Sequence, residues 1–134
     1  MTVTGDPQST PEPAYLLRIS PHADPHTGAR TTLLTLRTTK HFSSFRYSLD
    51  VREKIEGKKI TLKILGLHAP HLDLPAAGPA EFRREYRNLA GEYTIAVEGP
   101  GGAGSEAAVV IRPDSVTLLR PFTGSFLVAD IPLP

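Results

Sequence analysis

The sequence predicts an all-β domain, an antiparallel sandwich of about seven to nine short strands with at most one short helix near residues 80–88. Three observations carry that expectation. Apolar residues recur at every second position in one segment after another, most plainly Phe45, Tyr47, Leu49 and Val51 against Arg46, Ser48, Asp50 and Arg52. That is the pattern of a strand with one face in a core and the other in water. The 134 residues include 13 prolines and 11 glycines, which cut the chain into short pieces and leave little room for helix. The 40% hydrophobic and 22% charged residues are those of an ordinary globular chain, long enough for one core.

Residues 1–13 hold three prolines among Thr, Ser, Asp and Gln with almost nothing to bury, so they read as a flexible N-terminal tail. Residues 14–134 then form a single β-sandwich domain. Tyr15, Leu17 and Ile19 alternate with Leu16, Arg18 and Ser20 in a first strand that Pro21 closes. A second strand runs from about Arg30 to Thr39, with Leu34 and Leu36 on one face. After the third, Glu56-Gly57 breaks the pattern, and Ile60, Leu62 and Ile64 resume it against Thr61 and Lys63. Two alternating runs around a short Gly-containing turn make a β-hairpin. Residues 66–80, with Gly66, Pro70, Pro75, Gly78 and Pro79, read as loop.

Phe82, Tyr86 and Leu89 fall at i, i+4 and i+7 with Arg83, Arg84, Glu85 and Arg87 between them. The spacing favours a short helix, with a distorted strand as the alternative. Either way the aromatic rings face a core and the arginines face water. Tyr93, Ile95 and Val97 against Thr94, Ala96 and Glu98 resume the alternation, and Gly99–Gly104 is a loose turn. The nearly unbroken apolar run Ala107–Ile111 suits a strand covered on both faces. Pro113-Asp114-Ser115 turns the chain into Val116–Leu119, Pro121–Gly124 turns it into Phe126–Ile131, and Pro132 ends it.

Leu89-Ala90-Gly91-Glu92-Tyr93 has the form of a corner. Gly91 permits a positive φ just before a strand. Tyr93 can bury its ring and return its hydroxyl to the backbone of the preceding loop, as a tyrosine corner does. Here the chain resembles an immunoglobulin-like sandwich, with Ile95 where antibody domains place a Cys and Leu89 where an Asp is common. Across most of residues 30–112, the hairpin around Ile60-x-Leu62-x-Ile64-x-Gly66, then Gly78-Pro79-Ala80, then Leu89-x-Gly91-x-Tyr93, is similar to small uncharacterised bacterial immunoglobulin-like domains of unknown function. The resemblance implies the fold and a structural role for Gly91, Tyr93 and Ile95. It implies no activity, cofactor or substrate.

Composition narrows function by exclusion. Fifteen Lys and Arg against 14 Asp and Glu give a net charge of +1, which argues against a dedicated nucleic-acid binder. The absence of Cys excludes thiol catalysis, zinc-finger chemistry and a disulfide framework. No apolar run reaches the length of a membrane span, and no basic segment followed by an apolar one opens the chain, so the expectation is a cytoplasmic protein without membrane partners. There is no G-x-S-x-G elbow, Ser105 and Ser125 have no His neighbour, and Gly99–Gly104 precedes a strand where a phosphate loop would precede a helix. Glu81 and Glu85 sit beside arginines as a solvated surface would.

Five histidines remain. If consecutive strands alternate in direction, His22 and His26 lie at one end of the sandwich. His41, His68 and His71 lie at the other, with Asp73 as a further carboxylate ligand. Loop histidines are ordinarily solvated, so the expected function is a non-catalytic binding or scaffolding module, without catalytic residues or cofactor. Its partner is a protein met through the end loops 66–81 and 40–44 or through an edge strand, and the chain is a monomer or weak homo-oligomer. A metal-binding protein or metal-dependent enzyme using His41, His68 and His71 is the alternative. A carbohydrate or small-ligand module is a third, weakened by having no Trp and only four Tyr for an aromatic platform. Zinc titration separates the first two. We expect added zinc to raise the melting temperature by no more than about a degree or two, where a tight site would stabilise by roughly 2–4 kcal/mol. A larger shift that vanishes in His68→Ala and His71→Ala but survives in His22→Ala identifies the metal protein.

Overall fold

Alternation along the chain becomes nine strands in a computed structural model that describes residues 14–42, 47–68, 78–124 and 126–133. They are β1 (Tyr15–Ala23), β2 (Arg30–Phe42), β3 (Ser48–Glu56), β4 (Lys59–His68), β5 (Gly78–Tyr86), β6 (Gly91–Glu98), β7 (Gly104–Arg112), β8 (Ser115–Arg120) and β9 (Leu127–Asp130). One turn of 3-10 helix, Pro100–Gly102, lies between β6 and β7. No helix among the described residues is long and apolar enough to cross a membrane.

The all-β expectation holds, but the strands form one curled sheet in the order β8-β7-β6-β4-β3-β5-β2-β1-β9. Its pairing is mixed, since β1 with β9, β3 with β5, and β4 with β6 run parallel. An antiparallel sandwich would contain none of these pairs. The β3–β5 and β4–β6 pairs arise because β5 leaves its sequence neighbour to lie between β3 and β2 and β6 crosses to the far side of β4, and the β1–β9 pair arises because the last strand joins the free edge of the first.

Residues 80–88 are not helical. Ala80 and Tyr86 are buried and Phe82 is half-buried on one face of β5, while Glu81, Arg83 and Glu85 are exposed on the other. A spacing of four satisfies a period of two as well as one of 3.6, so Phe82 and Tyr86 could not discriminate. The long β2 decides the matter, pairing Leu36 with Phe82 and Thr32 with Tyr86. Leu89, which completed the helical pattern, follows the strand beyond Asn88, whose φ is +62°. Two strands also outrun their expected ends. β1 continues through Pro21 where β9, which stops opposite Arg18, leaves its edge open. β4 continues to His68 past a bulge that places Leu65 as the extra residue between the pairs Val51–Ile64 and Asp50–Gly66.

Inward-facing positions close the core. Leu17 faces Leu36, Ile60 faces Ile95, and Val109 faces Leu118 across neighbouring strands, with Leu34, Leu62, Val97 and Ile111 also almost fully buried. Each such Leu or Ile contributes about 1.5–3 kcal/mol on burial. Backbone pairing is continuous across the sheet except at one place. β3 and β5 share the single pair Ser48–Glu81.

Beyond that pair the join is made by side chains. The Tyr86 hydroxyl donates to the Glu53 carboxylate, and Arg84 Nε lies 3.5 Å from the same oxygen. The Arg84 guanidinium also stands 5.4 Å from the centroid of the Phe82 ring. Burial first, and then the Glu53 contact, raise the Tyr86 pKa well above its ordinary value near 10. A phenol held neutral in the fold stabilises it fully below the ordinary pKa and progressively less as pH rises past that value. We therefore expect stability to decline above about pH 10 in the wild type. In Tyr86→Phe it should already be lower by about 1.5–3 kcal/mol at neutral pH, with a shallower alkaline decline. Urea denaturation across the alkaline range measures both.

Candidate functional site

The end of the sheet at which β2 and β4 finish is also where β3 and β5 begin. His41 pairs with Pro79, Ser48 with Glu81, and Ser48 with His68, so the backbones of His41 and His68 come to one end. His22 lies opposite Thr31 near the start of β2, and His26 lies in the β1–β2 turn, at the other end. Strand direction thus separates His41 and His68 from His22 and His26. His71 and Asp73 lie outside the described residues. Among the described residues no three His, Asp or Glu side chains gather where a metal ion would sit.

The corner residues form a structural unit. Gly91 has φ +94°, Tyr93 is buried, and Ile95 is fully buried between Ile60 and Ala107 on the adjoining strands. The tie differs from the expected one. The Tyr93 hydroxyl makes no hydrogen bond to a described residue, and Lys58 in the β3–β4 turn closes the corner from outside. Its ammonium donates to the Ala90 carbonyl at 2.5 Å and stands 4.6 Å above the Tyr93 ring, while Thr94 N–H donates to the Lys58 carbonyl at 2.9 Å. Parallel pairing of β4 with β6 brings the turn to the corner. Nothing in the local sequence around Tyr93 signals a lysine from so far upstream.

A second feature lies at the outer limits of the sheet, where the curl brings β8 back toward β9. The two strands share no ladder. β8 pairs with β7 and β9 with β1, and the contact across the seam is the Leu118 N–H donating to the Pro132 carbonyl at 2.7 Å. Between them lies a depression of about 340 Å³ whose lining side chains include Leu118, Phe122, Leu127, Val128 and Ala129 and none that is titratable. Leu119 and Val128 beside it are 44% and 42% exposed. Ser105 fixes the connecting turn, accepting from Thr123 N–H at 2.8 Å and donating to its carbonyl at 3.1 Å.

Such a surface has no nucleophile and no acid–base pair in its lining. It has an apolar floor and strand edges with backbone groups directed away from their own ladders, which suit an extended chain. The residues that make it, Phe122, Leu127 and Val128, look from sequence like the last turn and strand of any sandwich. Comparison with protein-family models, curated proteins and solved structures finds no match to this chain.

The corner geometry fixes the expected effects of two substitutions. Lys58→Ala should cost about 1 kcal/mol, through the lost hydrogen bond and the lost cation–π contact. Tyr93→Phe should change stability by no more than a few tenths of that. Chemical denaturation of the two variants beside wild type shows which residue ties the corner.

Proposed function

We propose that this chain is a non-catalytic protein-binding module on an immunoglobulin-like plan, acting in the cytoplasm, that receives an extended segment of its partner along the β8–β9 seam. The plan is supported by the division of the sheet at Ser48–Glu81 into a four-stranded part, β5-β2-β1-β9, and a five-stranded part, β3-β4-β6-β7-β8. The observation that carries the binding reading is the seam itself, an apolar depression between two strands whose outer edges lack a ladder.

An incoming strand takes backbone hydrogen bonds from the open edge of β9, and its alternate side chains reach the floor formed by Leu118, Leu127 and Ala129. The Leu118–Pro132 bond joins the two sides of the seam at one point. Edges left open are ordinarily blunted by charge or proline. Here Val128 is left exposed beside the edge.

Selection from a displayed peptide library tests the reading. Peptides of alternating apolar and polar residues should be enriched, and they should slow amide exchange at Leu127–Ala129. Val128→Lys, an exposed position, should weaken them about tenfold without loss of stability. Selected peptides that bind Val128→Lys unchanged, or that protect other strands, overturn it.

A further inference from the structure

A separate surface lies on the outer face of β5, β2 and β1. Thr35 in β2 is paired with Arg18 of β1 on one side and Arg83 of β5 on the other. Two neighbouring strand spacings put those arginines about 10 Å apart across the sheet. Arg37 follows two positions along β2 on the same face, between Leu16 and Glu81. All three arginines line one depression of about 350 Å³, within the range of small-ligand sites.

Two of the three charges are not neutralised by their neighbours. The side chains of Arg37 and Arg83 make no hydrogen bond, ion pair or ring contact with any described residue. Glu81 stands opposite Arg37 in register, yet the two do not close an ion pair within 4 Å. Glu85, the other acidic side chain near Arg83 on β5, accepts from the Thr31 hydroxyl at 2.7 Å and lies 3.8 Å from His22. Arg18 has a solvated contact with Asp130 at 3.8 Å. The lining thus holds three guanidinium groups and one carboxylate, and with Asp130 set against Arg18 one positive charge is left over. Like charges gathered on one face repel one another in the empty site. An anion bound among them turns that repulsion into attraction.

The choice of cation also points to an oxyanion. The lining uses Arg at all three positions, whereas lysines crowd the β3–β4 hairpin at Lys54, Lys58, Lys59 and Lys63. Lysine serves solubility equally well. Arginine adds a planar fork that donates two parallel hydrogen bonds to carboxylate or phosphate oxygens. Three forks offer more donors than the two oxygens of one carboxylate can accept comfortably. A phosphate monoester offers three terminal oxygens and a charge near −2.

We propose that this face is a binding site for a phosphate monoester. Arg18, Arg37 and Arg83 hold its oxygens, the hydroxyls of Thr35 and Ser20 add donors from the floor, and Leu16 and Leu33 receive the carbon body. The site shares no lining residue with the seam.

Calorimetric titration of the whole chain with phenyl phosphate at low ionic strength tests the assignment, with phenylacetate as the carboxylate of similar body. Phenyl phosphate should bind at least about tenfold more tightly than phenylacetate. Arg37→Ala and Arg83→Ala should each weaken it about tenfold, and Arg83→Lys should lose part of the affinity because the charge stays and the fork goes. Lys59→Ala, in the other half of the sheet, should leave it unchanged. A phosphoserine peptide run alongside distinguishes the source, binding more tightly than phenyl phosphate if the phosphate arrives on a protein and no more tightly if it arrives on a small molecule. Absence of binding overturns the proposal, and so does phenylacetate binding equally well. An Arg37→Ala or Arg83→Ala loss no larger than that of Lys59→Ala would reduce the effect to general electrostatics and overturns it too.

Discussion

The curl of the sheet depends on how β3 and β5 are held together. They meet at one backbone pair, Ser48–Glu81, and every other neighbouring pair of strands in the sheet is joined along a ladder. Past that point the junction rests on Glu53, which takes the Tyr86 hydroxyl and the Arg84 guanidinium on one carboxylate. The Glu53 side chain is only 19% exposed, so its charge is costly unless both partners stay in place. Removing Tyr86 or Arg84 therefore does more than delete one bond. It leaves a partly buried carboxylate short of a donor at the place where the backbone offers none.

The same weak junction explains why the opposite limits of the sheet stay apart. A closed barrel requires strand tilt and register to agree all round. β3 and β5 share one backbone pair and a side-chain tie at Glu53, and β8 meets the segment after β9 at the Leu118–Pro132 bond without forming a ladder. Ser105 and Thr123 then pin the connecting turn so that apolar residues line the gap. An open edge here is a consequence of the topology, and the Leu and Val residues beside it make it a surface suited to burial.

Much of the fold was legible because alternation is a local property. The β3–β4 hairpin follows from Leu49, Val51, Ile60, Leu62 and Ile64 on either side of Gly57, and the structure pairs these strands with a two-residue turn. The segment around Phe82 was misread because a spacing of four fits both periods, and its partner β2 lies far upstream. Strand order was not legible at all. No local signal tells that β5 inserts beside β2 or that β6 crosses to β4, and those crossings create the β3–β5 and β4–β6 parallel pairs. The sites inherit that limit. Arg18, Arg37 and Arg83 are scattered over three strands and become one cluster through the registers of β1–β2 and β2–β5. Lys58 reaches the Tyr93 corner through β4–β6 pairing, so the corner could be located from Gly91 and Tyr93 while its tie could not.

The two surfaces lie on neighbouring strands, β9 and β1, and that has an energetic consequence. β9 stands between the seam and β1, and its Asp130 is the partner of Arg18. Val128 of the same strand lies opposite Leu16, which in turn pairs with Arg37. A chain lying along β9 acts on the edge that carries Asp130, and an anion held by Arg18 competes with that same carboxylate. Ligands that bias one ion pair from opposite sides cannot be thermodynamically independent, whatever the size of the coupling. The contact is exposed and 3.8 Å long, so any coupling carried by it is small.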